Sequence, residues 1–387
     1  MKSVCVARLG GIGDNIVASS VLPQFKKLGY HTEIICQRPF HYVFENNPFL
    51  DKLSPKDNGD LPQDPLAWQG WFQDRAKEND RFYNLSHSME HLLALIPEQC
   101  AFWWPAPFRR KLCDYSYLEV AHDICEVPHE YAPNFFPTDA EFVDALETKA
   151  KIGERAIGWV IAGSRIDKIH PHSAAIIGRL IKELNAPVVM FGVPTEREKT
   201  SAQTITDHVR RANGSTEGLH LAMSPGPDHP SWPLRRSLAL LQQCDLAIGP
   251  DTGPMWAVAM RAMPKIMMLG HASAKNITTG WVNTVTLHGD PRRVDCWPCH
   301  RLHLSPATCR IDESNSAAAC IADISVERIV SEAKQVWDQQ HDGTAAKSVG
   351  EFIRDNGRRA PRGRNKTDEV RRPGNGKGGG VPLETDR

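Results

Sequence analysis

Short apolar segments alternate with segments of helical periodicity in the first 150 residues. Apolar runs bounded by turn residues predict buried strands at residues 3–7, 33–36 and 81–86. Apolar positions spaced three and four apart predict helices over residues 16–28 and 87–95. Strands joined by helices of this length indicate a parallel sheet with helices packed on it.

The alternation restarts near residue 151. Buried strands are predicted at residues 156–161, 187–191, 245–248 and 265–269. Helices are predicted over residues 173–184, 238–243 and 256–263. We therefore predict an α/β protein of two Rossmann-like, doubly wound domains, residues 1–150 and 151–340, that face each other across a cleft. Ligands of such sheets bind beyond the carboxyl ends of the strands.

Three segments lack this alternation. Residues 48–65 are polar and marked by prolines, which predicts a loop. Residues 97–137 are broken by prolines, and we expect helices there that line the cleft. Residues 341–387 are rich in glycine and arginine and carry no apolar periodicity, which predicts a disordered basic tail.

Composition limits the partners of the chain. Of its 387 residues, 46 are Lys or Arg and 46 are Asp or Glu, so the formal net charge is zero. A chain without net charge has no overall electrostatic attraction to nucleic acid, and we expect no nucleic-acid partner. No apolar run reaches the roughly 18 residues of a membrane-spanning helix, and the first one is too short for a signal peptide. We expect a cytoplasmic protein with at most peripheral membrane contact.

The first predicted strand ends in the turn R-L-G-G-I-G-D, residues 8–14. Its glycines let the backbone approach a ligand, and the following helix start attracts an anion. Asp14 places a carboxylate at this helix start, which suggests a base beside an anionic substrate; an ordinary helix cap is the alternative. The turn does not match the dinucleotide-binding motif G-x-G-x-x-G, because Ile16 stands where that motif has its third glycine. It does not match a phosphate-binding P-loop either, because no lysine follows Gly13.

Two further turns follow predicted strands of the second domain. The turn at residues 249–254 offers backbone N–H groups and the hydroxyl of Thr252, which suits a diphosphate; a helix cap is the alternative. The turn at residues 163–168 offers cations that can neutralise a leaving diphosphate without a metal. Exposed charges that only solubilise the surface are the alternative there.

Together these turns resemble the motifs of glycosyltransferase family 9, the ADP-heptose:lipopolysaccharide heptosyltransferases. The resemblance covers about residues 1 to 340. The matching positions are Arg8, Gly13, Asp14, Pro23, Ser164, Arg165, Lys168, Pro171, Phe191, Gly192, Glu196, Asp251, Thr252, Gly253, Pro254, Met255 and Gly270. Two positions depart from the family, because Trp256 replaces a histidine and His170 replaces a tryptophan. A donor other than ADP-heptose therefore stays open.

The resemblance implies a GT-B fold, with an acceptor-side N-terminal domain and a nucleotide-sugar-binding C-terminal domain. It implies inverting transfer of a sugar, heptose favoured, from a nucleotide diphosphate such as ADP-heptose to a hydroxyl of a lipopolysaccharide-type or other glycan acceptor. Asp14 would be the general base. The implied donor-binding residues are Gly13, Ser164, Arg165, Lys168, Asp251, Thr252, Gly253 and Pro254. Two alternatives remain: transfer from another nucleotide sugar to a protein or surface glycan, and a non-catalytic GT-B binding module.

Four late cysteines form the last chemical pattern, Cys296, Cys299, Cys309 and Cys320. A C-x-x-C pair with two later cysteines suits a four-thiolate zinc or iron site, with His300 and His303 as substitute ligands. Related heptosyltransferases carry cysteines here, and those that modify autotransporter proteins bind a metal in such a cluster. The metal would be structural, since the transfer requires no cofactor. Four buried thiols without metal are the alternative.

Polar residues after the strand at 81–86 are candidates for binding the acceptor sugar, namely Asn84, Ser86 and Glu90. Capping of the following helix is the alternative. Aromatic and basic residues between 103 and 111 form a separate cluster. That cluster suits lipid headgroups or acceptor phosphates, or is an ordinary exposed loop.

Overall fold

The protein was studied as a computed structural model. It describes residues 1–38, 40–64, 66–86, 88, 100–132, 134–161, 163, 165–192, 195–223, 233–303 and 306–339. The described residues all belong to one compact unit, Met1–Thr344. The predicted helix at 87–95 (apart from Ser88), the predicted tail, Glu90 and Ser164 lie outside the described residues.

The described N-terminal strands form a parallel sheet in the order β3-β2-β1-β4. Its strands are β1 (Ser3–Arg8), β2 (His31–Gln37), β3 (Lys52–Lys56) and β4 (Arg81–Asn84). The interiors of β1 and β2 are buried, as their continuous apolar runs predict for central parallel strands. The three strands predicted in this part of the chain are confirmed.

The helices of this part are Ile12–Ser19, Leu22–Lys27, Ala67–Lys77, Ala106–Leu112, Tyr117–Ile124 and Asp139–Ile152. Short 3-10 helices cover Phe40–Phe44, Asn58–Asp60 and Cys100–Trp103. The helices expected between residues 97 and 137 are therefore present.

Two N-terminal predictions were wrong. The single helix at 16–28 is two helices, because Pro23 has no N–H to donate to the carbonyl group of Ser19 in a continuous helix. The loop at 48–65 contains β3, which pairs with β2. The single proline of β3, Pro55, is tolerated because β3 lies at the edge of the sheet in the described residues.

The second parallel sheet has the order β10-β9-β8-β5-β6-β7 among the described residues. Its strands are β5 (Ile157–Val160), β6 (Val188–Phe191), β7 (Leu219–Ala222), β8 (Leu246–Pro250), β9 (Lys265–Leu269) and β10 (Thr284–His288). The four strands predicted from residue 151 onward are confirmed, whereas β7 and β10 were not predicted.

The helices of this part are Ser173–Leu184, Glu196–Asn213, Leu234–Leu241, Gly253–Val258, Ala274–Ile277, Ala319–Ala322 and Val326–Gln339. Short 3-10 helices cover Ile166–Lys168 and Pro306–Thr308. The strands β11 (Ile311–Asp312) and β12 (Ala317–Ala318) form a small antiparallel pair. No helix in the described ranges is both long and apolar enough to cross a bilayer.

Both sheets have a switch point, where the chain changes its direction of travel across the sheet. In the first sheet β1 lies between β2 and β4, and in the second β5 lies between β6 and β8. Loops that leave adjacent strands on opposite sides of a switch point open a crevice, the usual ligand site of such sheets. The turns after β1, β5 and β8 are the three that the sequence singled out.

Two arginines of the helix Leu234–Leu241 connect it to the N-terminal part of the chain, and Arg235 is buried. The Arg235 guanidinium donates to both carboxylate oxygens of Glu141 at 2.7 Å and to the carbonyl oxygen of Phe136 at 2.9 Å. Arg236 pairs with Asp144 at 2.6 Å. Both acids lie on the helix Asp139–Ile152, which spans the predicted domain boundary at residue 150. The domain boundaries themselves stay a prediction.

Candidate functional site

Asp14 lies in the first turn of the helix Ile12–Ser19, directly after β1. Its Oδ2 accepts a hydrogen bond from the N–H of Gly11 at 2.9 Å, so Asp14 helps to cap the helix from its third position, whereas Gly11 is the N-cap residue. Its Oδ1 lies 3.1 Å from the Arg8 guanidinium, and 36% of its side chain remains exposed. The carboxylate is therefore oriented by two partners and still reachable by a substrate.

Arg8 is the last residue of β1, and only 1% of its side chain is exposed. Its guanidinium also donates to the carbonyl oxygen of Leu85 at 2.7 Å, which joins the ends of β1 and β4. A buried cation is stable only when it is paired, and Asp14 is one of the partners that Arg8 has. The sequence matched Arg8 to a family motif without showing this role; the available signal was a charge at the end of an otherwise apolar strand.

The turn after β1 (residues 8–14) and the turn after β8 (residues 249–254) contact each other. A methyl group on Gly13 would lie 3.2 Å from Cδ1 of Trp256, and one on Gly253 would lie 2.6 Å from Cγ2 of Ile12. A side chain at Gly253 would overlap Ile12, and one at Gly13 would crowd the Trp256 ring. The turn after β1 and the turn after β8 therefore share one junction.

We expect Gly253→Val to lower the affinity for ADP and to destabilise the fold by about 1–3 kcal/mol, because the new side chain overlaps Ile12. The matched control is Gly70→Ala, since a methyl group there meets no atom within 4 Å and alanine favours the helix. Calorimetry and thermal melting measure both effects. Equal ADP affinity in the two variants would contradict a donor site at this junction.

Lys168 and Asp251 form a largely buried ion pair at the switch point of the second sheet. Nζ of Lys168 lies 3.0 Å from Oδ2 of Asp251, and their side chains are 14% and 10% exposed. The indole N–H of Trp256 donates to the other oxygen, Oδ1, at 2.9 Å. Burial alone would raise the pKa of Asp251, but the charge of Lys168 holds it below the usual value.

Asp167, which precedes Lys168, fixes the turn after β5 through a buried contact with His271. Asp167 is fully buried, and its Oδ2 lies 2.8 Å from Nδ1 of His271, the residue that follows β9 and Gly270. Burial would raise the pKa of Asp167, whereas the charge and hydrogen bond of His271 lower it. This pair was not found from the sequence because its partners lie 104 positions apart.

Gly163 packs directly against the residues that would meet a diphosphate. A methyl group there would lie 2.7 Å from Cδ of Lys168 and 2.9 Å from Cγ2 of Thr252. The hydroxyl of Thr252 and Nε of Arg165 are buried and have no hydrogen-bond partner among the described residues. Pro254 is the second residue of the helix Gly253–Val258. The structure thus brings Gly13, Lys168, Asp251, Thr252 and Gly253 together.

The two positions that depart from the family make packing contacts. Trp256 is 3% exposed and lies against the rings of Tyr117 and Trp281, with centroids at 6.3 Å and 4.8 Å. Nε2 of His170 lies 2.8 Å from the carbonyl oxygen of Ile324, and burial lowers the pKa of His170 to about 4. A neutral His170 that donates to this oxygen therefore replaces the family tryptophan.

The candidate acceptor residues bind nearby backbone. The Asn84 side chain accepts from the N–H of Ser86 at 2.9 Å, and Oγ of Ser86 accepts from the N–H of Leu9 at 3.0 Å. Both residues border the turn that carries Asp14. Binding of an acceptor by Asn84, Ser86 and Glu90 stays a prediction.

The four cysteines line one cavity of about 140 Å³, together with His271 and His303. Burial raises the pKa of Cys299 and of Cys309 to about 12 each. Burial likewise raises the pKa of Cys296 and Cys320 above the usual value. Four thiols around one small cavity are a donor set that suits zinc or iron.

The thiols are not oriented toward a common centre. No group of three or more His, Cys, Asp or Glu side chains in the described ranges is arranged to hold an ion. Sγ of Cys299 lies 3.5 Å from Nε2 of His303, and Sγ of Cys309 lies 3.5 Å from the carbonyl oxygen of Arg310. Nε2 of His300 lies 3.9 Å from Asp114. Binding of an ion by all four thiols would therefore require Cys299 and Cys309 to rearrange from these contacts.

Two parallel, doubly wound sheets whose terminal turns meet at one junction define a GT-B fold. The chain is similar in structure to a glycosyl transferase family 9 protein from Veillonella parvula DSM 2008, with a TM-score of 0.60, 16% identity, and coverage of 87% of this chain and 98% of the other. For the ADP-heptose lps heptosyltransferase II of E. coli the TM-score is 0.56 and the identity 14%, over 88% and 100% of the two chains.

A third similar structure is an E. coli heptosyltransferase with ADP, with a TM-score of 0.50 and 13% identity over 86% and 99% of the two chains. No protein-family model and no curated protein sequence matches the chain. At these identities the likeness establishes the fold. The GT-B fold and the structural resemblance to family 9 that the motifs indicated are confirmed.

Proposed function

We propose that the protein is an inverting glycosyltransferase that moves a sugar from a nucleotide diphosphate to an acceptor hydroxyl. The observation that carries this proposal is the junction of the turns after β1 and β8. It places the exposed carboxylate of Asp14 and the cationic, hydroxyl-bearing turns of the second sheet at two facing switch points. That arrangement supplies one base and one diphosphate site, which is what a single displacement needs.

In this reaction Asp14 takes the proton of the acceptor hydroxyl as its oxygen attacks the anomeric carbon. The bond between that carbon and the diphosphate oxygen breaks, and the leaving nucleoside diphosphate keeps the electron pair. Arg8 holds the carboxylate in place through the 3.1 Å contact. One displacement inverts the anomeric configuration.

The diphosphate is bound by the second sheet. Lys168 and Arg165 supply positive charge, and Thr252 supplies a hydroxyl without a described partner. Asp251 would repel a diphosphate, so we assign it the positioning of Lys168 and Trp256. Gly13 and Gly253 let the turns after β1 and β8 pack closely enough to form one site, and Ser164 completes the donor set implied by the family motif.

ADP-heptose is the favoured donor and a lipopolysaccharide-type glycan the favoured acceptor. The support is the likeness to structures described as ADP-heptose lps heptosyltransferase II and as a heptosyltransferase with ADP. A nucleotide-sugar donor also suits a cytoplasmic enzyme. Incubation with different nucleotide sugars tests this choice, since the correct donor should release its nucleoside diphosphate only when an acceptor is present.

The cysteine cavity is a separate, structural part of the proposal. We assign Cys296, Cys299, Cys309 and Cys320 as ligands of one zinc or iron ion that would stabilise the loops between β10 and the helix Val326–Gln339. The ion takes no part in the transfer, which uses Asp14 and the cations of the donor site.

Protein purified without chelators should contain about one zinc or iron ion per chain by elemental analysis. Cys299→Ser should lose the metal and melt at a lower temperature, because metal affinity contributes to local stability. The control is Cys36→Ser, a fully buried thiol of β2 far from this cavity in sequence, which should keep the metal. Metal-free protein whose four thiols are freely alkylated would exclude the site.

A further inference from the structure

An exposed aromatic face lies between residues 103 and 112. Trp103 and Phe108 are 62% and 61% exposed, and Trp104 and Leu112 are 37% and 36% exposed. In the helix Ala106–Leu112, residues 108, 111 and 112 are three and four positions apart and therefore share one side. We call Trp103, Trp104, Phe108, Lys111 and Leu112 the aromatic face.

The opposite side of this helix is fixed to the loop that carries the first two cysteines. Nε of Arg109 donates to the carbonyl oxygen of Cys299 at 3.0 Å, and Arg110 donates to the carbonyl oxygen of Trp297 at 3.1 Å. Arg301 of the same loop donates to the carbonyl oxygen of Phe102 at 2.7 Å. Because these contacts hold the backbone from behind, the aromatic face is presented on a rigid support.

The charge of this segment has one sign. Residues 100–113 contain two arginines and one lysine and no acidic residue. Lys111 is exposed on the aromatic face. Asp295, whose carbonyl oxygen accepts from Arg110, has its carboxylate paired with Arg310 at 2.6 Å. On the aromatic face itself, an anionic partner would meet the positive charge of Lys111 beside large apolar side chains.

We propose that the aromatic face docks the protein on the surface of an anionic lipid bilayer. Tryptophan rings are well suited to the boundary between headgroups and acyl chains, because one part of the ring is apolar and one part is a hydrogen-bond donor. Lys111 adds attraction to the negative surface potential. The chain's zero net charge gives no general attraction, so binding depends on this face and on salt. The proposal is independent of the transfer reaction.

Co-sedimentation of the full chain with vesicles of phosphatidylcholine, with and without phosphatidylglycerol, tests the proposal. We expect wild-type protein to bind the phosphatidylglycerol vesicles and Trp103→Ser/Phe108→Ser to bind at least about tenfold more weakly. The matched control is Leu28→Ser/Leu66→Ser, which removes two side chains exposed by 61% and 88% elsewhere. The control should bind as wild type does.

Three outcomes would overturn the proposal. Wild-type protein that binds neither vesicle excludes a bilayer partner. An aromatic variant that binds as well as wild type shows that another region is responsible, with the basic residues 341–387 the first candidate. A wild-type dimer that the aromatic variant converts to a monomer, without vesicle binding, shows that a second copy covers the face. Melting curves and ADP calorimetry of each variant establish that it is folded.

Discussion

We expect Asp14→Asn to lower kcat by about 10²–10⁴-fold, the usual cost of losing a positioned base, while the affinity for ADP stays nearly unchanged. Asparagine keeps the size of the side chain, and its amide oxygen can still accept from the N–H of Gly11. It cannot take a proton from an acceptor hydroxyl. Steady-state kinetics and ADP calorimetry separate the two quantities.

Asp14 also caps a helix and pairs with the buried Arg8, so the loss of rate must be distinguished from a loss of stability. The control is Thr138→Ala, which removes the hydroxyl that caps the helix Asp139–Ile152 and costs about 0.5–2 kcal/mol of stability. If Asp14 were only a cap, the two variants would behave alike, with lower melting temperatures and normal turnover at low temperature. Near-wild-type turnover of Asp14→Asn would remove it from the reaction.

We expect Lys168→Met to weaken ADP binding by about 10- to 100-fold, because a charge-assisted contact to a phosphate is lost. The variant should also lose about 3–5 kcal/mol of stability, since Asp251 would remain as a buried, unpaired carboxylate. Thermal melting and calorimetry at a temperature where the variant is folded measure these effects. The control is Lys182→Met, at an exposed lysine of the helix Ser173–Leu184.

A double variant separates the two roles of Lys168. Lys168→Met/Asp251→Asn removes the unpaired charge, so it should recover much of the stability that Lys168→Met loses. It should not recover ADP affinity, because the cation is still missing. Wild-type affinity for ADP in Lys168→Met would show that the diphosphate binds elsewhere.

The features that could be predicted from the sequence have local signals. Apolar runs predicted β1, β5, β6, β8 and β9, and glycine turns at the ends of β1, β5 and β8 predicted the candidate ligand site. A parallel strand buried on both faces is a continuous apolar run, which is why these strands were found. By contrast, β3 was taken for a loop because Lys52–Lys56 contains a proline and only one fully apolar residue.

The features that could not be predicted depend on partners far apart in the chain. The structural role of Arg8 depends on its contacts with the Leu85 carbonyl group, 77 positions away, and with Asp14. Trp256 was an unexplained departure until its N–H was found to share Asp251 with Lys168, which lies 83 positions from that carboxylate. Arg110 lies 187 positions from the carbonyl group of Trp297 that it holds. Such contacts are set by tertiary packing and leave no periodic pattern.

The most direct test of the proposed transfer is acceptor-dependent release of nucleoside diphosphate. Wild-type protein and Asp14→Asn are incubated with ADP-heptose and with other nucleotide sugars, each with and without an extract of bacterial glycolipids. We predict that wild-type protein releases nucleoside diphosphate from one donor, that release requires the extract, and that Asp14→Asn loses it while still binding ADP. If wild-type protein binds ADP but releases no nucleoside diphosphate from any donor, the proposed glycosyltransferase activity is contradicted. The remaining alternative is then a non-catalytic GT-B binding module.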